Sequence, residues 1–162
     1  KTDGTLWVWG VNDGGQLGHN NVIPYSSPRQ IPGTQWSVYD ASGSSDGRTS
    51  FAIKTDGTLW AWGYNYRGDL GQNDATTINR SSPTQIPGTQ WNAVSANYRF
   101  AIGIKTDGTL WTWGGQYGGS LGQNNNTTPR SSPVQVPGTQ WSLENFENQI
   151  GPYVFAMKKI PQ

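Results

Sequence analysis

One ten-residue string is written three times along the chain. Lys1 to Gly10 reads KTDGTLWVWG, Lys54 to Gly63 reads KTDGTLWAWG, and Lys105 to Gly114 reads KTDGTLWTWG. A period of about fifty residues belongs to propellers, solenoids or arrays, in which each unit buries its apolar face against the next. Thr5-Leu6-Trp7-Val8-Trp9 is β-branched and aromatic with period two, so it reads as a strand with Leu6 and Val8 on one face and Trp7 and Trp9 on the other. Phe51-Ala52-Ile53-Lys54 is a second apolar run, and Thr55-Asp56-Gly57 between the runs supplies the residue tolerant of positive φ that a tight hairpin needs. The unit is therefore built on a hairpin.

The remainder of each unit repeats as well. After the Trp-Gly step comes a turn-rich loop, VNDGGQLG, YNYRGDLG or GQYGGSLG, whose Leu17, Leu70 and Leu121 are the expected inward anchors. A segment of variable length leads to SSPRQIPGTQW, SSPTQIPGTQW or SSPVQVPGTQW. Two prolines around a short run suit an edge strand or an extended connector, and the Trp that follows opens another strand. Each period holds about four short extended segments and no helical pattern. The expected fold is all-β: a β-propeller of four-stranded blades, with repeats over 1–53, 54–104 and 105–162, the last diverging after Trp141.

Composition narrows the class further. Hydrophobic residues make up 33% and charged residues 13%, with a net charge of +1, so neither a membrane-inserting segment nor a basic footprint for nucleic acid is expected. The nine Trp are the core candidates: Trp7, Trp9, Trp36, Trp60, Trp62, Trp91, Trp111, Trp113 and Trp141. A fully buried Trp contributes on the order of 4–6 kcal/mol as an upper bound. The absence of cysteine excludes disulfides and thiolate metal sites.

Catalytic and metal chemistry find little support. His19 is the sole histidine and has no motif around it. Asp3, Asp56 and Asp107 recur at one position, where Asp-Gly turn chemistry explains them better than a ring of carboxylates. Asp69, Asp74, Glu144 and Glu147 show no spacing that singles out an acid/base pair. The loops at Asn12-Asp13-Gly14 and Gln123–Asn126 lack the DxDxDG calcium pattern. No enzyme activity, cofactor or metal is expected. What varies between the units is Tyr25 in the first, Tyr64, Tyr66 and Arg67 in the second, and Tyr117 in the third. Tyr and Arg are side chains that interfaces favour, so these are the candidate binding residues.

The Gly-x-Leu-Gly loop, Ser-Ser-Pro before a short strand, and the AIKTDGTLWxWG hairpin together resemble the regulator of chromosome condensation repeat family, in its bacterial and bacteriophage form. The resemblance covers essentially the whole chain. It implies a seven-bladed propeller whose ring closes by pairing strands from the two chain ends, and it implies protein or ligand binding rather than catalysis. Three units make only part of a ring, so further blades are expected from another chain or from an unseen part of the same one. Founding members act as exchange factors on a small GTPase and dock on chromatin. This chain carries no basic tail and no insertion suited to an exchange wedge. The family's Gly-x-x-His-Ser/Thr step is altered, since no His occurs in Gly43–Ser50, Ala96–Arg99 or Gly151–Val154.

KTDGTLWTWG arrays are similar to repeats in structural proteins of marine phages and their hosts, which places the expected setting outside the cell or on a virion surface. The functional expectation is a non-catalytic module for protein or glycan recognition. The alternative is an inhibitor or regulatory protein that binds an enzyme or small GTPase through propeller loops.

Overall fold

The structure, a computed structural model, describes residues 3–43, 48–74, 78–97, 99–142 and 157–158. The described residues form twelve strands: β1 (Trp7–Gly10), β2 (Tyr25–Gln30), β3 (Trp36–Gly43), β4 (Thr49–Lys54), β5 (Leu59–Gly63), β6 (Arg80–Gln85), β7 (Trp91–Asn97), β8 (Phe100–Lys105), β9 (Leu110–Gly114), β10 (Arg130–Val136), β11 (Trp141–Ser142) and β12 (Met157–Lys158). Two complete antiparallel meanders, β3-β4-β5-β6 and β7-β8-β9-β10, are flanked by the pairs β1-β2 and β11-β12. The sheets are phased half a unit away from the sequence frames 1–53, 54–104 and 105–162. Each begins at the Trp after PGTQ, so each frame contributes two strands to one sheet and two to the next.

The hairpin turn explains why TDG and PGTQW recur without change. Asp56 Oδ1 accepts from the Thr58 N–H at 2.9 Å and from its hydroxyl at 2.7 Å, and the Thr58 hydroxyl oxygen accepts from the Trp60 indole N–H at 2.9 Å. Asp3 and Asp107 make the same set of bonds to Thr5 and Thr109, with Trp7 and Trp111 as the indole donors. The three aspartates thus close turns. The Gln-Trp step is held from both sides: Trp91 N–H donates to Gly57 O at 3.0 Å in the preceding turn, and Gln90 O accepts from Thr106 N–H at 2.9 Å in the turn of its own sheet. Gln35, Gln90 and Gln140 all take positive φ there (71°, 66° and 69°), a conformation kept by these backbone bonds.

The core lies between sheets. Phe51, Ile53, Leu59 and Ala61 of one meander meet Trp91, Val94, Ala101 and Trp113 of the next, together with Leu70 and Ile86. Ile31, Trp36, Ala52 and Trp62 repeat this layer toward β1-β2. Leu17, Leu70 and Leu121 are buried as expected. The first two Gly-x-Leu-Gly loops are clamped against the neighbouring sheet: a Cβ on Gly15 (φ 84°) would come within 2.7 Å of Ser81 Cα, and one on Gly68 (φ 80°) would collide with Ser131, whereas Gly119 in the third loop has open space there.

The indoles divide by position. Trp36, Trp62, Trp91 and Trp113 are buried, whereas Trp7, Trp60, Trp111 and Trp141 are only partly so. Trp9, expected in the core, is 59% exposed. Its counterpart Trp62 lies against the Gly18 loop of the preceding unit and donates its indole N–H to Gln16 O at 2.8 Å. No described sheet precedes β1 to give Trp9 the same cover.

Candidate functional site: an arginine and tyrosine ladder at one end of the strands

β4 runs from Thr49, paired with Gly63, to Lys54 at the TDG turn, so each meander has two distinct ends. The Thr49 end carries the variable loops. There Tyr64 N–H donates to Arg48 O at 2.8 Å, fixing the residue after β5 beside the one before β4. The next sheet repeats the arrangement, with Gly115 N–H donating to Arg99 O at 2.6 Å.

Four of the five expected binding residues come together at this end. Tyr64 and Tyr66 stack with centroids 6.2 Å apart and planes 17° from parallel. The Arg48 guanidinium lies 5.6 Å from the Tyr64 centroid, and that of Arg99 lies 5.0 Å from Tyr66. Arg67 sits between two rings, 5.6 Å from Tyr66 and 5.5 Å from Tyr117. The result is a continuous row of cations and rings that crosses from the β3–β6 meander to the β7–β10 meander. Tyr66, Arg48 and Arg67 are exposed, while Tyr64, Arg99 and Tyr117 are half-buried.

Tyr25 is not part of the row. It opens β2, where its hydroxyl accepts from Asn21 Nδ2 at 2.9 Å, its ring carries Arg29 at 4.2 Å, and His19 meets it edge-on at 5.4 Å. Its ring is engaged within its own unit.

Sequence reasoning missed the residues that hold these loops. Asn12, Asn65 and Gln116 are buried at one position, two residues after Gly10, Gly63 and Gly114. Their amide oxygens accept from Leu17 N–H at 2.9 Å, Leu70 N–H at 3.2 Å and Leu121 N–H at 3.0 Å. Their amide nitrogens donate across the loop, from Asn12 to Ile23 O, Asn65 to Asp74 and Gln116 to Asn125 O. A recurring amide at a fixed offset from the strand-ending glycine was the available signal. Arg48 and Arg99 left a weaker signal, because the segments that lead to them from Trp36 and Trp91 differ in length and share few letters.

The acidic residues serve the same scaffolding. Asp69 is buried and accepts from Tyr66 N–H at 3.2 Å, shaping the loop beneath the ladder. Asp74 pairs with Arg80 at 2.6 Å. Asp13 faces Arg48 at 3.8 Å with both side chains well exposed, a contact of little energetic weight. The hydrogen bond from the Gln16 side chain holds the Asp13 carboxyl below its ordinary range, with Arg48 adding to the effect. Glu144 and Glu147 lie outside the described residues. His19 Nε2 meets Gln30 O at 3.0 Å. Among the described residues no three metal-ligating side chains cluster, and no helix is long and apolar enough to cross a membrane.

Comparison with known proteins extends these observations. The family profile described as Regulator of chromosome condensation (RCC1) repeat matches residues 3–45 and 56–99. Protein RCC2 homolog of Danio rerio is 34% identical over 124 residues, covering 76% of this chain, and human Protein RCC2 is 32% identical over 125 residues. The chain spans about a quarter of the length of these relatives, 25% and 24% respectively. Prp20p from Saccharomyces cerevisiae, described by its binding to Gsp1p and histones, superposes with a TM-score of 0.72 at 18% identity over 83% of this chain and 34% of its own. The same yeast protein in complex with Kap60 gives 0.71 at 19% identity, over 86% of this chain and 34% of its own. These structural matches establish the fold, and β8–β10 extend it beyond the residues that the profile matches.

The expected extracellular or virion setting is overturned, because these relatives are vertebrate RCC2 proteins and a yeast protein whose described partners include histones. With the profile matching more than half of the chain and the two complete meanders sharing one strand order, this chain belongs to the regulator of chromosome condensation (RCC1) repeat family.

Proposed function

We propose that this chain is part of a non-catalytic propeller that binds a regulatory protein through the variable-loop end of its blades, with a small GTPase as the partner class. The observation that carries the reading is the row Arg48, Tyr64, Tyr66, Arg67, Arg99 and Tyr117. Rings and guanidiniums held against one another lose little further side-chain freedom on binding, and each combines apolar area with directed donors. Such residues dominate protein interfaces. A protein partner is favoured over a glycan because the structural neighbour Prp20p is described by protein partners, Gsp1p among them.

The test is titration of purified Gsp1p with the chain and with its Tyr66→Ala/Arg67→Ala double variant. Removing one aromatic and one cationic anchor weakens binding about tenfold or more. Equal affinities, or no binding by the unmodified chain, contradict the proposal.

A further inference from the structure

The opposite end of the strands holds a second feature, which the ladder does not use. Lys54 extends over two indoles, its Nζ 4.3 Å from the Trp60 centroid and 5.0 Å from that of Trp36, and the two rings meet edge-on at 6.3 Å. The next meander repeats the arrangement: Lys105 Nζ lies 4.7 Å from Trp111 and 4.9 Å from Trp91, whose rings are also 6.3 Å apart. Lysine stems packing on aromatic rings are ordinary surface covering. Packing does not account for the open slot beside them, about 400 Å³ in volume, which runs between adjacent units past Pro32, Trp36, Lys54, Trp60, Pro83 and His19.

The chemistry of the slot is specific. Its walls are largely apolar, with two prolines from neighbouring units and two indoles, and His19, Asn20 and Ser82 add polar groups to the lining. Its one cation, Lys54, has no carboxylate within ion-pair distance among the described residues. An extended polyproline II segment fits such walls, because its shape is preformed and its backbone carbonyls have no internal partners. A carboxylate on that segment complements the ammonium.

We propose that this slot binds an extended, proline-containing peptide bearing an acidic side chain, with the ring of a proline between Pro83 and the Trp60 indole and the carboxylate at Lys54. The lysine and its two indoles recur in the next meander at Lys105, Trp91 and Trp111, which supply a second, independent reporter of the same chemistry. This site lies at the TDG end and does not depend on the ladder.

The experiment follows the indole N–H resonances of Trp60 and Trp111 in the 162-residue chain. The acidic peptide Ac-EPPPEP-NH2 is added first, then the basic peptide Ac-KPPPKP-NH2 and tetragalacturonate in separate titrations. The acidic peptide shifts Trp60 saturably and binds about fivefold more tightly than the basic one. Lys54→Gln weakens the Trp60 response about fivefold and leaves the Trp111 response unchanged, which shows in the same spectrum that the variant is folded. Tyr66→Ala/Arg67→Ala leaves both responses intact. An unmoved Trp60 resonance at millimolar peptide overturns the proposal. So does equal affinity for the basic peptide, or equal affinity for tetragalacturonate, which would assign the slot to acidic glycans.

Discussion

The two ends of the strands obey different rules. At the TDG end, every unit has the same letters because the backbone of one sheet is bonded to the turn of the one before: Trp36 N–H reaches Gly4 O, and Trp91 N–H reaches Gly57 O, both at 3.0 Å. At the other end, one buried amide per loop holds the backbone from inside, and the positions around it change freely, to Val11 in the first loop, Tyr64, Tyr66 and Arg67 in the second, and Tyr117 in the third. Sameness marks where units lock together. Difference marks where side chains are free of that locking, and the proposed recognition surface lies there.

The largest test of this contrast is stability. Trp91 is 2% exposed, opens β7 at the TDG end and meets Trp111 and Trp113 at 6.3 and 5.9 Å. Trp91→Ala leaves a cavity between sheets and costs about 3–5 kcal/mol, whereas Tyr66→Ala at the ladder costs about 1 kcal/mol or less. Denaturant unfolding of the two variants measures both. Similar losses would break the distinction between a locking end and a binding end.

The smallest effect concerns the turn aspartates. The Thr109 hydroxyl, then the Thr109 N–H, hold the Asp107 carboxyl below its ordinary value, and Thr58 acts in the same way on Asp56. A folded-state value below the unfolded one means that the contribution of the turn is complete above the unfolded-state pKa. It is lost as pH falls through the folded-state value. Carboxyl carbon shifts of Asp107 should therefore titrate below those of a free KTDGTL peptide. Thr109→Val raises the midpoint toward the peptide value, and an unchanged midpoint would deny the turn its role.

Much of this architecture was legible because the repeat compared the chain with itself. The hairpin at Thr55-Asp56-Gly57, the inward Leu17, Leu70 and Leu121, and the grouping of Tyr64, Tyr66, Arg67 and Tyr117 as loop residues follow from letters kept or changed between units. Three things were hidden. Trp9 occupies the same sequence position as Trp62 and Trp113, yet its burial depends on a neighbouring sheet, which local periodicity cannot encode. Arg48 and Arg99 reach the ladder through β4 and β8, whose preceding segments differ in length and composition. Tyr25 looked equivalent to the other tyrosines as a variable aromatic, but it stands at the start of β2 rather than after a strand-ending glycine.

The most direct measurement is the footprint of Gsp1p on this chain by hydrogen–deuterium exchange. The account predicts protection at residues 64–67 and 115–117, where the ladder crosses between the two meanders. Protection confined to residues 54–58 and 105–109, at the TDG end, would contradict it and move the recognition surface to the other end of the strands.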